Sequence, residues 1–540
     1  MRYKYFPYIL YAVAGVFFLF ELRFYTDEID TIQYVSLAQR YASGNIYESI
    51  NAYWGPLFSW LLVPFLFFIK DGFFAVKTLQ MIIGLFALHN TIHLLEFLKI
   101  NNKLVKLFSF LFIPLFLSYG LIIQPPDLLF LMFLLIYLRL ILSDPFGNSV
   151  KIGVVAGLLY LTKAYGFPLM IIHMIFLFGL NYLKKENAGN KKNSARSFVK
   201  AFSIFIVIAG CWITIISMHE HRFTFGDSAK YNLRLLNPVS DDGKGERLHP
   251  ALQNGLMAPP NQYAVNAWEQ LDKTNTISWS PLDSFNNFEH WVKKVRENLF
   301  SIYYFDFRRQ TGSLVVCCLL LLFLLKNKRK EVWLQIKDVV FFLLIFNFGY
   351  ILVTIDHRYI FIDTIFYVIF FLIICSQLLE RVNIFTWIFI ACFALLFVKR
   401  PMKQLLFTRD ADASVSQLAA AVIHPIKTIN NSTLPYKQLY FVSNYINQHS
   451  ELKGRVANFN ETENKNLVSY FVTAFVCYQT HNKHYGELTN KIIATEGYKQ
   501  LHDFKIDFYY VWNRKDSLDD QTFNLIYTDS VLPLRIFKLR

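Results

Sequence analysis

The sequence has few charged residues and few cysteines for its length. Charged side chains make up 17% of the 540 residues, whereas hydrophobic ones make up 54% and the mean hydropathy is +0.32. This composition excludes an ordinary soluble enzyme and is typical of a polytopic membrane protein. Five of the six cysteines lie in or beside apolar runs, namely Cys211, Cys317, Cys318, Cys375 and Cys392. Because Cys477 is alone in the polar C-terminal part, no disulfide framework is expected.

The chain also lacks a signal-peptide cleavage site. Residues 6–20 are apolar, but "FLFELRF" follows without the small residues that such a site needs, so we interpret this run as a retained first span. The net charge of +15 does not indicate nucleic-acid binding. Lys and Arg are concentrated in short segments between apolar runs, which is the positive-inside pattern of a membrane protein.

Apolar runs of the length that crosses a bilayer, about 20 residues, recur as far as Val398, and a soluble composition returns from Pro401. The sequence therefore predicts an α-helical transmembrane domain over residues 1–400 and a small soluble α/β domain with a short sheet over residues 401–540. Counting the first, about eleven spans are expected. The others are 73–98, 105–122, 125–142, 150–164, 166–183, 199–218, 311–326, 338–354, 357–378 and 383–398.

The short apolar run 57–69 decides the topology. It contains Pro64 and is too short for a full crossing, so we expect it to enter the membrane and return. A first outer loop (23–72), a large outer loop (219–310) and the C-terminal domain then share the outer face, and the basic loops lie inside. The alternative, a crossing by 57–69, would place the basic segment after Leu98 outside.

Several polar motifs lie at the predicted outer ends of spans. The carboxylates Asp27, Glu28 and Asp30 follow the first span in "TDEIDTIQYVSLAQRYASGNIY", where a low-dielectric boundary favours carboxylates that act as bases. A polar collar that merely ends the helix is the alternative. Further along come Asp127 in "IQPPDLLF", Lys163 in "GLLYLTKAYG", and Arg358 with Tyr359 in "DHRYIFI".

In this order, and with "YWGPLFSWLL" after the acidic loop, the motifs resemble those of GT-C glycosyltransferases over about 400 residues. The lipid A aminoarabinose transferases and the protein O-mannosyltransferases are the branches they resemble most. That resemblance implies a hexosyl- or pentosyltransferase of the bacterial inner membrane. It would move a sugar from a polyprenyl-phosphate donor to a lipid, glycan or protein acceptor on the outer face.

The resemblance also implies roles for the polar residues. Asp27 would be the base that deprotonates or orients the acceptor hydroxyl, and Glu28 would position Asp27 or the acceptor. Asp127 would stabilise positive charge on the sugar or hold a sugar hydroxyl. The phosphate would be bound by Lys77, Lys163, Arg358 and Tyr359. Simpler alternatives are snorkelling for Lys77, an ordinary interfacial position for Lys163, and for Arg358 an ion pair with Asp356.

Two departures from the family pattern matter. Gly55 stands where the aminoarabinose branch has a phosphate-binding Lys, and Asp127 is followed by Leu128 and Leu129 rather than by a second acidic residue. Gly55 implies that the lipid phosphate is bound differently. Because metal-dependent relatives need a pair of acidic residues at the second position, we expect no cofactor and no metal, with a divalent cation as the alternative. In the large outer loop, Trp268, Trp279 and Trp291 are candidates for stacking on sugar, with an aromatic belt or loop core as the alternative.

Two other functions compete with this interpretation. A lipid-linked glycan polymerase or ligase would use Arg and His in late loops. A flippase or transporter would bury ionisable groups mid-span, and the second span does contain His89, Asn90, His93 and Glu96.

Overall fold

The structure is a computed structural model. It describes residues 5–26, 29–123, 126–183, 188–238, 255–273, 279–304, 329–356, 358–359, 361–378, 384–407, 415–461, 468–496, 498–514 and 518–540.

Helices dominate the first three quarters of the chain. In chain order they are α1 (Phe6–Glu21), α2 (Ile29–Ala42), α3 (Pro56–Leu66), α4 (Gly72–Phe97), α5 (Asn102–Ser118), α6 (Asp127–Ser143), α7 (Ser149–Thr162), α8 (Gly166–Leu183), α9 (Ala188–His219), α10 (Ser228–Arg234), α11 (Phe285–Tyr303), α12 (Arg329–Ile351), α13 (Phe361–Leu378) and α14 (Ile384–Phe407). Each predicted span coincides with a helix except 311–326, which lies outside the described residues.

Three described helical segments are long and apolar enough to cross a membrane: Gly72–Phe97, Asn102–Ile123 and Lys192–His219. The second joins α5 to a π-helical turn, Tyr119–Ile123. The predicted number of about eleven spans stays a prediction. Helix α3 has 11 residues, about 16 Å at 1.5 Å per residue, which is too short to cross the bilayer and fits a segment that enters and returns.

The polar motif residues lie at or just beyond the ends of helices. Asp71 caps α4 by accepting hydrogen bonds from the backbone N–H groups of Phe73 and Phe74. Asp127 is the first residue of α6, and Lys163 follows α7 directly in an extended conformation. Arg358 lies in the connection between α12 and α13, so separate segments of the chain meet at one place.

The predicted domain boundary falls within a helix. Helix α14 continues through Pro401 to Phe407, so helical structure extends past residue 400. Two further helices follow, α15 (Val415–Ile423) and α16 (Pro425–Gln448). Helix α16 packs back on the end of α1, with the rings of Tyr436 and Tyr25 at 4.8 Å.

The predicted C-terminal sheet is confirmed. Its strands are β1 (Arg455–Asn460), β2 (Lys483–Leu488), β3 (Phe508–Trp512), β4 (Phe523–Thr528) and β5 (Leu534–Leu539), in the order β2-β1-β3-β5-β4. Strands β1, β2 and β3 are parallel, and β5 pairs antiparallel with β3 and β4. The helices between the parallel strands are α17 (Val468–Thr480), α18 (Asn490–Glu496) and α19 (Lys499–Asp503), as parallel strands need crossover connections.

A segment of the large outer loop, residues 255–273, joins the two parts of the molecule; we call it the outer strap. On one side its Val265 carbonyl accepts a hydrogen bond from the His484 N–H of β2 at 2.8 Å. On the other side Glu269 forms a buried ion pair with Arg40 of α2, and its carbonyl accepts a hydrogen bond from Asn51 at 2.9 Å. The strap is therefore fixed to both α2 and the sheet.

Candidate functional site

A cavity of about 340 Å³ lies where these helix ends meet. Its charged lining residues, within the described part of the chain, are Asp30, Asp127, Lys163, Asp356 and Arg358. The remaining wall is largely aromatic or apolar and includes Trp54, Tyr165, Phe225 and Leu235. Concave, mostly apolar cavities with a few convergent polar groups are where proteins bind small molecules.

Asp127 and Lys163 form an ion pair inside this cavity. The Asp127 side chain is 2% exposed and that of Lys163 is 15% exposed. Asp127 starts α6, where the helix dipole and the free N–H groups favour a carboxylate. Its second oxygen, Oδ2, is buried and has no hydrogen-bond partner among the described residues. A buried carboxylate oxygen without a partner is costly, so this atom is available to a bound ligand.

A second ion pair joins Asp30 of α2 to Arg358. Asp30 Oδ2 lies 2.7 Å from Arg358 Nη1, and Asp30 Oδ1 accepts a hydrogen bond from the Trp268 indole at 3.0 Å. Asp356 Oδ2 lies 3.9 Å from Arg358 Nε, so the ion pair given above as the alternative role of Arg358 is present but longer. Arg358 is therefore held mainly by a carboxylate from the first outer loop.

Both cations lie close to the ring of Tyr359. The Lys163 ammonium is 4.4 Å from the centre of the Tyr359 ring and the Arg358 guanidinium is 5.4 Å from it. The same ring stacks on Tyr350 at 4.8 Å. Cations near an aromatic ring are attracted by its quadrupole. A single anion in the cavity could thus be reached by both side chains.

Two tyrosines of the first outer loop also line the cavity. Burial raises the pKa of Tyr34 and of Tyr53 well above the ordinary value of a phenol. Both therefore stay neutral and can donate a hydrogen bond. Tyr34 is fixed by edge contacts with Trp54 and Phe58, whose ring centres lie 5.3 and 5.4 Å away.

The structure does not bring Lys77 to the cavity. Its side chain is fully buried, and its ammonium donates to the carbonyls of Leu22, Arg23 and Tyr25 at 2.6, 3.2 and 2.6 Å. Lys77 thus satisfies carbonyls at and just beyond the end of α1. It does not snorkel either, and we leave it out of the candidate phosphate site.

Asp27, Glu28 and His357 lie outside the described residues, so the roles expected for Asp27 and Glu28 stay predictions. Within the described residues, no three His, Cys, Asp or Glu side chains are grouped so that they could hold a metal ion. Independence from metal also stays a prediction.

Of the three tryptophans singled out in the sequence, Trp268 lines the cavity. The Trp291 indole donates to the Leu352 carbonyl at 3.0 Å, and Trp279 is buried against His290. The polar residues of α4 do not line the cavity: His93 pairs with Glu96 at 3.2 Å, and His89 contacts Tyr8 of α1.

Sequence reasoning missed two residues of the site. Asp30 was noted as part of the acidic loop but was given no role, and its position three residues after Asp27 was the available signal. For Trp268 the sequence suggests sugar stacking or loop packing, but not a hydrogen bond to Asp30. Its contact with Asp30 spans 238 positions of the chain, and no local pattern encodes such a pairing.

Comparison with solved structures identifies the architecture. ArnT from Cupriavidus metallidurans, bound to undecaprenyl phosphate, matches with a TM-score of 0.53 and 10% identity, over 99% of this chain and 98% of that one. The chain has a GT-C-like fold. The oligosaccharyltransferase AglB from Archaeoglobus fulgidus, in complex with an inhibitory peptide and a dolichol-phosphate, matches with a TM-score of 0.49 and 10% identity, over 95% and 70% of the two chains. No protein-family model and no curated protein matches the sequence.

The GT-C-like fold confirms the resemblance drawn from the ordered motifs. The ArnT match includes the C-terminal sheet, since it covers nearly the whole of both chains. The cavity is lined by Asp127, Lys163, Arg358 and Tyr359. Together with Lys77, which lies elsewhere, these are the predicted site residues that the structure describes.

Proposed function

We propose that the chain is an integral membrane glycosyltransferase that moves a sugar from a polyprenyl-phosphate donor to an acceptor on the outer face of the membrane. The main observation in support is the pair of carboxylate–cation contacts, Asp127 with Lys163 and Asp30 with Arg358, both close to Tyr359 in one cavity. The GT-C-like fold supports it further, because ArnT with this fold was solved with undecaprenyl phosphate bound. A bacterial inner membrane is the proposed location.

Lys163 and Arg358 would bind the phosphate. Both cations are already held in the cavity by carboxylates, so less side-chain freedom is lost when the anion binds. Arg358 can grip two phosphate oxygens at once, and Lys163 adds a compact charge. The tyrosines Tyr34 and Tyr53 are neutral donors in the same wall.

In the proposed reaction, an acceptor oxygen forms a bond to the anomeric carbon of the donor sugar. The bond from that carbon to the phosphate oxygen breaks, and polyprenyl phosphate leaves with the electron pair. Asp27 takes the acceptor's proton, with Glu28 positioning it. Asp127, whose Oδ2 has no partner in the described structure, stabilises the positive charge that develops on the sugar.

Native mass spectrometry of the purified chain tests the donor class. We expect polyprenyl phosphate or its sugar adduct to co-purify with the wild type. Lys163→Gln and Arg358→Gln should each lower its occupancy about tenfold, which corresponds to about 1.4 kcal/mol. Arg455→Gln, a change at an exposed arginine of β1, is the matched control and should bind as the wild type does.

The same preparation separates a transferase from a transporter. When membrane extract is added as a source of acceptors, a transferase converts the bound sugar adduct to free polyprenyl phosphate, whereas a transporter releases the adduct unchanged. Recovery of bulk phospholipid alone, at equal levels in wild type and variants, would refute the proposed donor.

A further inference from the structure

Helix α11 of the large outer loop has an apolar side that faces away from the rest of the protein. The exposed large apolar residues in and beside it are Leu282, Phe285, Phe288, Val292, Leu299 and Phe300, and Phe285 is 78% exposed. Apart from Leu282, which precedes the helix, they fall on one side of it at a period of 3.6 residues, and Glu289 and Arg296 share that side. A helix of a soluble protein would turn such a side toward the core.

The opposite side of α11 is polar and faces the protein. Asn298 donates to the carbonyl of Ile351 at 2.8 Å, and the Trp291 indole donates to the carbonyl of Leu352. On the same side His290 donates to the Leu236 carbonyl at 2.9 Å, and Lys294 is 3% exposed. Polar contacts thus hold α11 to the protein, while the apolar side chains of the helix are 43–78% exposed.

We propose that α11 lies in the outer leaflet of the membrane, with its apolar side among the lipid acyl chains. Helix α12, whose last carbonyls α11 binds, also exposes apolar side chains, Leu344 and Phe348. This second exposed apolar surface supports lipid as the partner of α11. Lys293 lies at the edge of the apolar side and suits a headgroup region. Arg296 lies within that side, over the Phe300 ring at 5.7 Å, and its long stem lets the guanidinium reach the headgroups. Helix α11 has 19 residues, about 28 Å at 1.5 Å per residue. In this proposal its axis lies along the membrane surface.

This position couples the leaflet to the cavity. The carbonyls that α11 binds belong to the last turn of α12 and to the residues just after it. Val353, Thr354, Ile355 and Asp356 come next and line the cavity, followed by Arg358. Lipid contact along α11 therefore fixes the segment that carries one of the two cavity cations. The inference stands whether or not the proposed reaction is right, because it concerns lipid contact alone.

Photocrosslinking of the full chain in phosphatidylethanolamine–phosphatidylglycerol nanodiscs tests the proposal. A diazirine amino acid replaces Phe285 or Phe288 on the apolar side, or Asn286 or Lys293 on the polar edge as matched controls. Mass spectrometry then counts lipid adducts at each position. The apolar positions should give at least about fivefold more acyl-chain adducts than the controls, as expected for a helix buried to about 5–10 Å at the interface.

Equal lipid adducts at all four positions would overturn the proposal, since the helix would then have no lipid-facing side. So would crosslinks from Phe285 and Phe288 to a second copy of the chain, which would make this side a protein interface. Each substituted protein is first required to melt at the wild-type temperature, so that loss of the fold is not read as loss of lipid contact.

Discussion

The Trp268 indole donates a hydrogen bond to Asp30 Oδ1 at 3.0 Å, while Asp30 Oδ2 holds Arg358 at 2.7 Å. The other edge of Trp268 packs on Tyr470 and Phe471 of α17, with ring centres 5.9 and 5.6 Å away. The C-terminal domain is thus two side chains away from the cavity arginine.

Trp268→Phe keeps the ring contacts and removes the N–H. A hydrogen bond to a charged group contributes about 1.5–3 kcal/mol, and without it Asp30 no longer fixes Arg358 toward the cavity. We expect polyprenyl phosphate to bind about tenfold more weakly, a loss of about 1.4 kcal/mol. Lipid titration followed by native mass spectrometry measures this, at a temperature where the variant is still folded, because loss of the buried hydrogen bond also lowers the melting temperature.

Trp279→Phe is the matched control for that variant. The Trp279 indole nitrogen is buried and has no hydrogen-bond partner in the described structure, so its removal should leave lipid affinity unchanged. If both variants bind lipid as the wild type does, Trp268 only packs and does not position Asp30.

Lys77→Met should destabilise the protein without weakening lipid binding. The ammonium satisfies the carbonyls of Leu22, Arg23 and Tyr25, and each buried carbonyl left unsatisfied costs about 1–3 kcal/mol. Differential scanning fluorimetry should show a lower melting temperature. The opposite pattern, an unchanged melting temperature with lipid binding lost, would return Lys77 to the phosphate site.

Asp27→Asn should abolish transfer while leaving lipid binding nearly intact, because the amide keeps the size of the carboxylate but cannot take the acceptor's proton. Loss of a general base costs about 10²–10⁴ in rate, measured as release of polyprenyl phosphate. A rate within a few-fold of wild type would shift the base to Glu28. If Glu28→Gln is equally active, the two carboxylates form only the polar collar.

Excess chelator should not change turnover. Asp127 is followed by Leu128 and Leu129, so this position lacks the second carboxylate that a metal site there would use. The assay is run with and without chelator, and then with added Mg²⁺ or Mn²⁺. Activity that is lost in chelator and restored by either ion would show that a cation takes part.

The C-terminal domain should lose stability on mild acidification. Burial lowers the pKa of His484 to about 3, whereas an unfolded chain has a value of about 6.5. Between these values the unfolded state binds more protons, so stability falls as pH falls, by up to about 1.4 kcal/mol per pH unit.

A matched variant isolates this effect. Burial raises the pKa of Glu487. As the pH falls toward the unfolded pKa of this group, the folded state takes up the proton first, so Glu487 makes the domain more stable where His484 makes it less stable. His484→Gln retains the Glu487 contribution and can still donate to Asn458, which His484 contacts at 2.7 Å. The melting temperature of the variant should depend less on pH between 7 and 5. Parallel curves for the two proteins would exclude His484 as the cause.

Local patterns in the sequence predicted the helices and the sheet well, because apolar runs and strand alternation are read within one element. Asp127, Lys163 and Arg358 are predicted as site residues because they lie at span ends in motifs that resemble those of GT-C enzymes. The Asp30–Trp268 contact and the burial of Lys77 against the end of α1 could not be predicted from local patterns. Such contacts are set by tertiary packing between distant segments.

The outer strap also limits where the chain can be truncated without disturbing the cavity. Its hydrogen bonds to β2 and its ion pair with α2 mean that Trp268 is held from both sides. A shortened chain that ends after α16 would keep helices α1 to α16 and still lose the support behind one cavity wall. Truncation to the helical part is therefore a poor route to an active preparation.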